Sequence, residues 1–343
     1  MITDTIQKVL DLYGLTGQKT EAINNGLINH TWKIYANGND YILQKINDKV
    51  FIHPADIAYN IRLVSDHLKK DHPDYFFVHP LTTANGDDII YIEKEGWFRM
   101  FPFVKGVHSF NKVSTAEQAY EAATQFGKFT NLLSGFDASR LRITIPHFHD
   151  AGLRYQQFLQ AVKNANEERR IRSKQLTDKL IEKNNIVSQY QQIIQDPAFK
   201  TRATHHDTKI SNVLFDERDK AICIIDLDTI MPGYFLSDTG DMIRTYISPV
   251  DENETDLSKV SFRKDIYQAI FHGYCLAMKD ELTAKEKEYF FWSGKLMIYL
   301  QALRFLTDFL NNDIYYGIEY PDHNFNRAMN QATLLQVLTE QER

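Results

Sequence analysis

Residues 204–230 read Thr-His-His-Asp-Thr-Lys-Ile-Ser-Asn-Val-Leu-Phe-Asp-Glu-Arg-Asp-Lys-Ala-Ile-Cys-Ile-Ile-Asp-Leu-Asp-Thr-Ile, and the rest of the chain is read from them. His205, Asp207 and Asn212 make a His-x-Asp-x-x-x-x-Asn pattern, and Asp226 ends the apolar run 221–225. This spacing suits phosphoryl transfer. One Asp orients and deprotonates the accepting hydroxyl, while an Asn and a second Asp hold the Mg²⁺ that bridges nucleotide phosphates. A hard cation needs oxygen ligands, which Asn212 and Asp226 supply. The apolar run 213–215, the polar turn 216–220 and the returning run 221–225 predict a hairpin that brings Asn212 back beside Asp226. The bare motif is a weak signal, and a polar loop leading into a structural hairpin is the plain alternative. The hairpin and the strand-end Asp together make it specific. Asp228, two residues along on the same face, is open between a second metal ligand and a substrate contact.

Upstream, residues 3–13 place Ile6, Val9, Leu10 and Tyr13 at helical spacing, with Gly14 as the stop. Residues 28–34 and 41–46 read as two strands joined at Asn37-Gly38-Asn39. The loop before them can drape over nucleotide phosphates, with Gly26 allowing close backbone approach. A basic residue on the second strand would reach the phosphates. Gln44 and Lys45 are the candidates and point to opposite faces. Charge favours Lys45, whose plain alternative is a solvated outer position. Residues 53–70 form a helix with Pro54 early and no Glu to pair with a strand lysine. Residues 76–81, 88–93 and 97–101 complete a small antiparallel sheet. Phe101-Pro-Phe-Val-Lys-Gly106 is the hinge, where an adenine can bond backbone and stack on apolar side chains such as Phe101 and Phe103.

Downstream the pattern is helical. Residues 114–133 carry a capping signature, with Ser114 as cap and Glu117 three later. His147-Phe-His149-Asp150 lacks further zinc ligands at suitable spacing, so Asp150 is expected as a helix cap. Residues 151–196 read as two helices. Asp238 is expected to cap a helix or to bond the catalytic loop's backbone. Residues 261–278, 284–310 and 324–338 are helical. The fold class is therefore α+β, with a β-rich N-lobe over 1–103 and a mainly helical C-lobe over 104–343.

These residues resemble the aminoglycoside phosphotransferase and choline kinase group of small-molecule kinases, and within it the N-acetylhexosamine 1-kinases. The resemblance rests on Gly26-Leu-Ile-Asn-His-Thr31, 42–47, Trp97-Phe-Arg99, 148–150, the 205–212 core, 225–233, 237–244, 303–308 and 312–316. It implies a bilobal protein-kinase-like fold, ATP and Mg²⁺, and phosphorylation of the anomeric hydroxyl of GlcNAc or GalNAc. It assigns Asp207 as base, Asn212 and Asp226 as metal ligands, and Arg304 and Tyr315 to the sugar. Asn29 and Thr31 join Gly26 on the nucleotide side, and Lys209 lies where a cation can reach the transferred phosphate. The chain departs at Ser237-Asp-Thr-Gly, where Phe is usual before the Gly, and at Gln44, where broader relatives carry the basic strand residue. Read from the residues alone, Arg304 can equally pair with Asp308 at i,i+4.

A choline, amino-alcohol or aminoglycoside kinase is the alternative, left open by the acidic 251–256 loop and Asp313. A pseudokinase is disfavoured by the intact Asp207, Asn212 and Asp226. Charged residues are 24% of the chain and the net charge is −6, which argues against general nucleic-acid binding. No run approaches a membrane span and the first residues lack a signal-peptide core, so a cytoplasmic monomer with no membrane partner is expected.

Overall fold

The computed structural model describes residues 2–23, 28–36 and 38–342. In chain order the elements begin with α1 (Ile2–Leu12), β1 (Lys19–Ile23), β2 (His30–Tyr35), β3 (Asp40–Ile46), α2 (Pro54–Asp71), β4 (Ile90–Ile92), β5 (Gly96–Pro102) and β6 (Val107–His108). There follow α3 (Ala116–Leu132), α4 (Ala151–Asn164), α5 (Glu167–Glu182), α6 (Asn185–Ile193), β7 (Thr201–Thr204), β8 (Val213–Asp216), β9 (Ala221–Ile224) and β10 (Met231–Tyr234). The helices α7 (Phe235–Tyr246), α8 (Lys264–Met278), α9 (Ala284–Glu288), α10 (Phe290–Leu310) and α11 (His323–Glu340) complete the chain. An antiparallel sheet region precedes a helical region, the protein-kinase-like α+β arrangement expected.

Two compact units result. The first comprises Met1–His108, Gly135–Pro146 and Leu214–Pro232, and the second Ser109–Ser134, His147–Val213 and Gly233–Arg343. The first break thus falls at His108 rather than 103, and two later segments return to the first unit.

In the first unit a five-stranded sheet runs β1-β2-β3-β5-β4. One face buries Ile34, Leu43, Phe98 and Met100 against Ile6, Val9 and Leu10 of α1, which gives both elements their apolar side. A second sheet, β6-β8-β9, contains the expected hairpin. The strands differ from the sequence pattern in two places. Residues 76–81 are irregular: Pro80 has no N–H to give a ladder, and Leu81 donates to the Met100 carbonyl at 2.7 Å. β1 escaped notice because Lys-Thr-Glu-Ala-Ile is a mostly exposed edge strand with little apolar alternation.

In the second unit α10 is apolar on nearly every side and packs against α4, α7 and α11, while α3 lies along α8. The helix reading held with three shifts. Thr115 caps α3 in a box with Gln118, one residue beyond the Ser114/Glu117 pair. Residues 151–193 form three helices, not two, and 284–310 divides into α9 and α10. Cys223 is a buried and Cys275 a half-buried free thiol. No helix among the described residues is long and apolar enough to cross a membrane.

Candidate active site

In the second unit, β7 ends at Thr204 and the chain turns through 205–209 into a single 3₁₀ turn, Ile210–Asn212. α7 holds this turn from below. The Asp238 carboxylate accepts the His205 and His206 backbone N–H groups at 3.2 and 2.7 Å, the backbone role foreseen for it. The Thr208 N–H donates to Asp241 at 2.9 Å, and its hydroxyl donates to the Asp238 carbonyl at 2.7 Å. The Tyr246 hydroxyl donates to the Thr208 carbonyl at 2.6 Å. His206 sits at φ +67, which a non-glycine residue keeps only where its surroundings hold it. Its ring lies so close to Gly233 that a Cβ there would approach Cε1 to 2.4 Å.

Held this way, the loop gathers three predicted residues. Lys209 Nζ lies 2.9 Å from Asp207 Oδ2, and the Asn212 amide donates to the Asp207 carbonyl and to Oδ2 at 2.9 and 3.1 Å. Burial pushes the Asp207 carboxyl up, but Lys209, His205 and the Asn212 amide outweigh it and hold it below its ordinary value. Asp207 therefore stands ionised at neutral pH, able to accept a proton or a hydroxyl hydrogen bond. The Asn212 nitrogen is engaged with Asp207, so its amide oxygen is the atom left for a cation.

Asp150 caps α4, accepting the Leu153 N–H at 3.0 Å, as expected. His149 stacks on Phe148 with ring centroids 4.2 Å apart, and its Nδ1 lies 3.0 Å from the Ser237 hydroxyl. Burial, then His206 and Arg304, keep this imidazole neutral by pulling its pKa well down. The Arg304 guanidinium stands 5.4 Å from the Phe148 ring and 5.5 Å from the Tyr316 ring. Its suggested partner Asp308 is engaged elsewhere, accepting the Tyr315 and Tyr316 N–H groups and the Asn324 amide. Tyr315, placed in the sugar site by resemblance, is 62% exposed. Tyr316 is the tyrosine beside Arg304, and nothing in the residue spacing separated the two.

In the first unit, strand register sorts the nucleotide-side expectations. Thr31, Gln44 and Arg99 sit opposite one another on β2, β3 and β5, so they share a face. Phe101 follows two residues after Arg99 and lies 5.0 Å from its guanidinium. Lys33 stands 3.9 Å over the Phe103 ring. Lys45 is on the other face, with α1, where its ammonium lies 3.6 Å from Glu95. Gln44 and Lys45 thus point to opposite faces, as strand alternation requires, and Gln44 shares the face of Thr31, Phe101 and Arg99. Asn29 clips the chain, donating to Asp228 at 2.8 Å and accepting the Asn47 N–H at 3.0 Å. Gly26 lies outside the described residues.

Asp228, expected as a second metal ligand or a substrate contact, has both carboxylate oxygens engaged within the first unit. It is 2% exposed, with Oδ1 2.5 Å from Arg99 Nη1 and Oδ2 bound by Asn29. Arg99 was missed as a functional residue because its partner is distant in sequence. Asp226 opens the next turn in the left-handed region, at φ 64 and ψ 58. The Asn212 amide oxygen in the second unit and the Asp226 carboxylate in the first are each the kind of oxygen donor that a hard divalent cation takes. Among the described residues no group of three or more His, Cys, Asp or Glu converges as a metal cluster. A magnesium ion shared with substrate phosphates needs none.

The profile of the phosphotransferase enzyme family matches residues 19–281. This chain belongs to that family. Solved structures with a similar fold include a spectinomycin phosphotransferase in complex with ADP and spectinomycin, at 13% identity and TM-score 0.64, covering 99% of this phosphotransferase and 98% of that chain. A microcompartment-associated aminopropanol kinase matches at 15% identity and TM-score 0.63, covering 98% and 97%. An amicoumacin kinase in complex with AMP-PNP, Ca²⁺ and Ami matches at 12% identity and TM-score 0.61, covering 97% and 93%. Similarity at these identities is similarity of fold.

Proposed function

We propose that this phosphotransferase transfers the γ-phosphoryl group of ATP, bound with Mg²⁺, to the anomeric hydroxyl of an N-acetylhexosamine, GlcNAc or GalNAc. The observation that carries the phosphoryl-transfer part is the ionised Asp207, held by Lys209 and by the Asn212 amide. Asp207 accepts the proton of the attacking hydroxyl, Lys209 stands ready for charge on the transferred group, and Asn212 and Asp226 hold the metal. The metal's chemistry is neutralisation of that developing charge.

The sugar reading rests on Arg304. Among the described residues it has no carboxylate partner; Gln301 Oε1 accepts from it at 3.3 Å, and aromatic rings flank it. A guanidinium fork beside aromatic faces suits hydroxyls and an acetamido carbonyl rather than a quaternary ammonium or an aminoglycoside. Asp313, the carboxylate that could have served a cationic substrate, instead bonds Arg169 at 2.6 Å and Asn324 at 3.0 Å. ADP release measured with GlcNAc, GalNAc, choline and kanamycin tests the reading. The hexosamines should support turnover and the cations should not. Arg304→Ala should raise KM for the hexosamine at least tenfold and leave KM for ATP within about twofold, because the sugar's polar groups lose their partner. Turnover on choline or kanamycin alone would replace the sugar with an amine.

A further inference from the structure

Buried on the first unit's sheet is an arginine that the phosphoryl-transfer chemistry does not use. Arg99 Nε and Nη2 donate to Gln44 Oε1 at 3.1 and 2.8 Å, and Nη1 meets Asp228 Oδ1 at 2.5 Å. Both side chains of the ion pair are 3% exposed. The other Asp228 oxygen is taken by Asn29, itself fixed by the Asn47 backbone. Asp228 is thus held on one oxygen by Arg99 of β5, which Gln44 of β3 backs, and on the other by Asn29 in the loop before β2. From the opposite side, α2 packs on the same turn, and Asn60 donates to the Ile230 carbonyl at 2.8 Å.

What these clamps hold is the backbone around Asp226. That residue is two positions before Asp228 and occupies left-handed φ/ψ, where an L-residue other than glycine stays only under restraint. A buried ion pair is a poor stability device, since a well-packed apolar pair often serves as well or better. Its directionality is the property an apolar pair lacks. A guanidinium also spreads its charge over a fixed fork, so that Nε and Nη2 donate to Gln44 while Nη1 pairs with Asp228 by charge, which an ammonium cannot copy.

We propose that Arg99, oriented by Gln44, is a positioning residue that sets the Asp226 carboxylate for the metal by holding Asp228. This inference rests on the metal role assigned to Asp226 above. Gln44 then has a definite part on its strand: it aims the cation of the neighbouring strand instead of supplying one.

The test uses the full chain and four variants: Arg99→Met, Arg99→Lys, the double variant Arg99→Met/Asp228→Leu, and Asp226→Ala. The first readout is hydrogen exchange without metal or nucleotide. Amides of 227–231 should exchange at least tenfold faster in Arg99→Met, with the rest of the β3 and β5 ladder changed less. The second is the Mg²⁺ concentration for half-maximal turnover, which should rise at least tenfold in Arg99→Met while KM for the acceptor stays within about twofold. Arg99→Lys should fall between wild type and Arg99→Met, and it supplies both readouts if the methionine variant does not fold. The double variant separates positioning from packing: its melting temperature should recover while its Mg²⁺ requirement stays raised. Recovery of both, or wild-type exchange at 227–231 in Arg99→Met and Arg99→Lys, would overturn the proposal. Unchanged Mg²⁺ dependence in Asp226→Ala would remove the metal reading instead, and the metal-free exchange arm would still decide whether Arg99 restrains the turn.

Discussion

Two carboxylates on the catalytic loop and its anchor respond in opposite ways to burial. For Asp207, the neighbouring Lys209, His205 and Asn212 outweigh desolvation and lower the pKa. For Asp238, desolvation dominates over His205 and the two backbone N–H groups, and the pKa is pushed up to about 6. The consequence of the first is chemical. Asp207→Asn keeps the hydrogen bonds nearly isosteric but cannot take a proton, so kcat should fall by roughly 10²–10⁴ with the fold intact. Steady-state rates beside a thermal melt check this, and near-wild-type turnover would remove Asp207 from the mechanism. The consequence of the second is thermodynamic. A carboxyl whose folded pKa exceeds its unfolded value binds its proton more tightly when folded, so its contribution to stability grows as pH falls from about 6 to about 4 and is lost as pH rises through that window. Wild type should therefore gain stability relative to Asp238→Asn by roughly 2 kcal/mol between pH 7 and pH 4, for a shift of roughly two units. Urea unfolding of both proteins at several pH values measures the difference; a constant gap would mean that Asp238 stays charged throughout. Asp207, Asn212 and Asp238 were legible in the sequence because their partners are close neighbours or follow motif spacing. Arg99 was not, because its role depends on register with Gln44 and on a turn far along the chain.

Among the elements, α7 does most to place the loop, carrying Asp238, Asp241 and Tyr246 on one side. Its other side meets α10, and the approach is close. A Cβ at Gly240 would lie 2.3 Å from the Ser293 carbonyl oxygen and 2.4 Å from Met297 Cγ. The preceding Thr239, where the sequence departs from the usual Phe, donates to the Phe235 carbonyl at 3.0 Å and shares a 2.8 Å hydrogen bond with the Ser293 hydroxyl. The departure is thus compensated within the same helix pair. Gly240→Ala should destabilise the protein by about 1–3 kcal/mol through overpacking, even though alanine is the better helix former. Because α7 anchors the loop, kcat should fall in the same variant. A variant as stable and active as wild type would show that the two helices can separate without cost. Long periodic helices such as α2 and α10 were readable because their apolar stripes repeat many times. Short edge strands such as β1 were not, since a few mostly exposed residues leave little pattern to read.

At the scale of the whole molecule, the chain does not divide where composition changes. A sheet followed by helices suggested a cut near residue 103, yet 135–146 and 214–232 belong to the first unit. A cut in sequence cannot show which distant segments return, because a short segment carries its contacts in partners rather than in its own periodicity. Those segments supply what the first 108 residues lack. Asp228 neutralises Arg99, the Ile230 and Arg142 carbonyls accept from the Asn60 amide, and β8 pairs with β6. A fragment spanning residues 1–108 would keep the five-stranded sheet and α1 but leave Arg99 and Asn60 without these partners. Breaking a buried ion pair by removing one side costs about 3–5 kcal/mol, a large share of the roughly 5–15 kcal/mol that holds a domain together. The 1–108 fragment should therefore lack a cooperative thermal transition and a dispersed amide spectrum, whereas the full chain should show both. A folded fragment with a sharp melt would mean that α1 and the sheet are sufficient alone, and that the returning segments serve the site without being needed for the unit's stability.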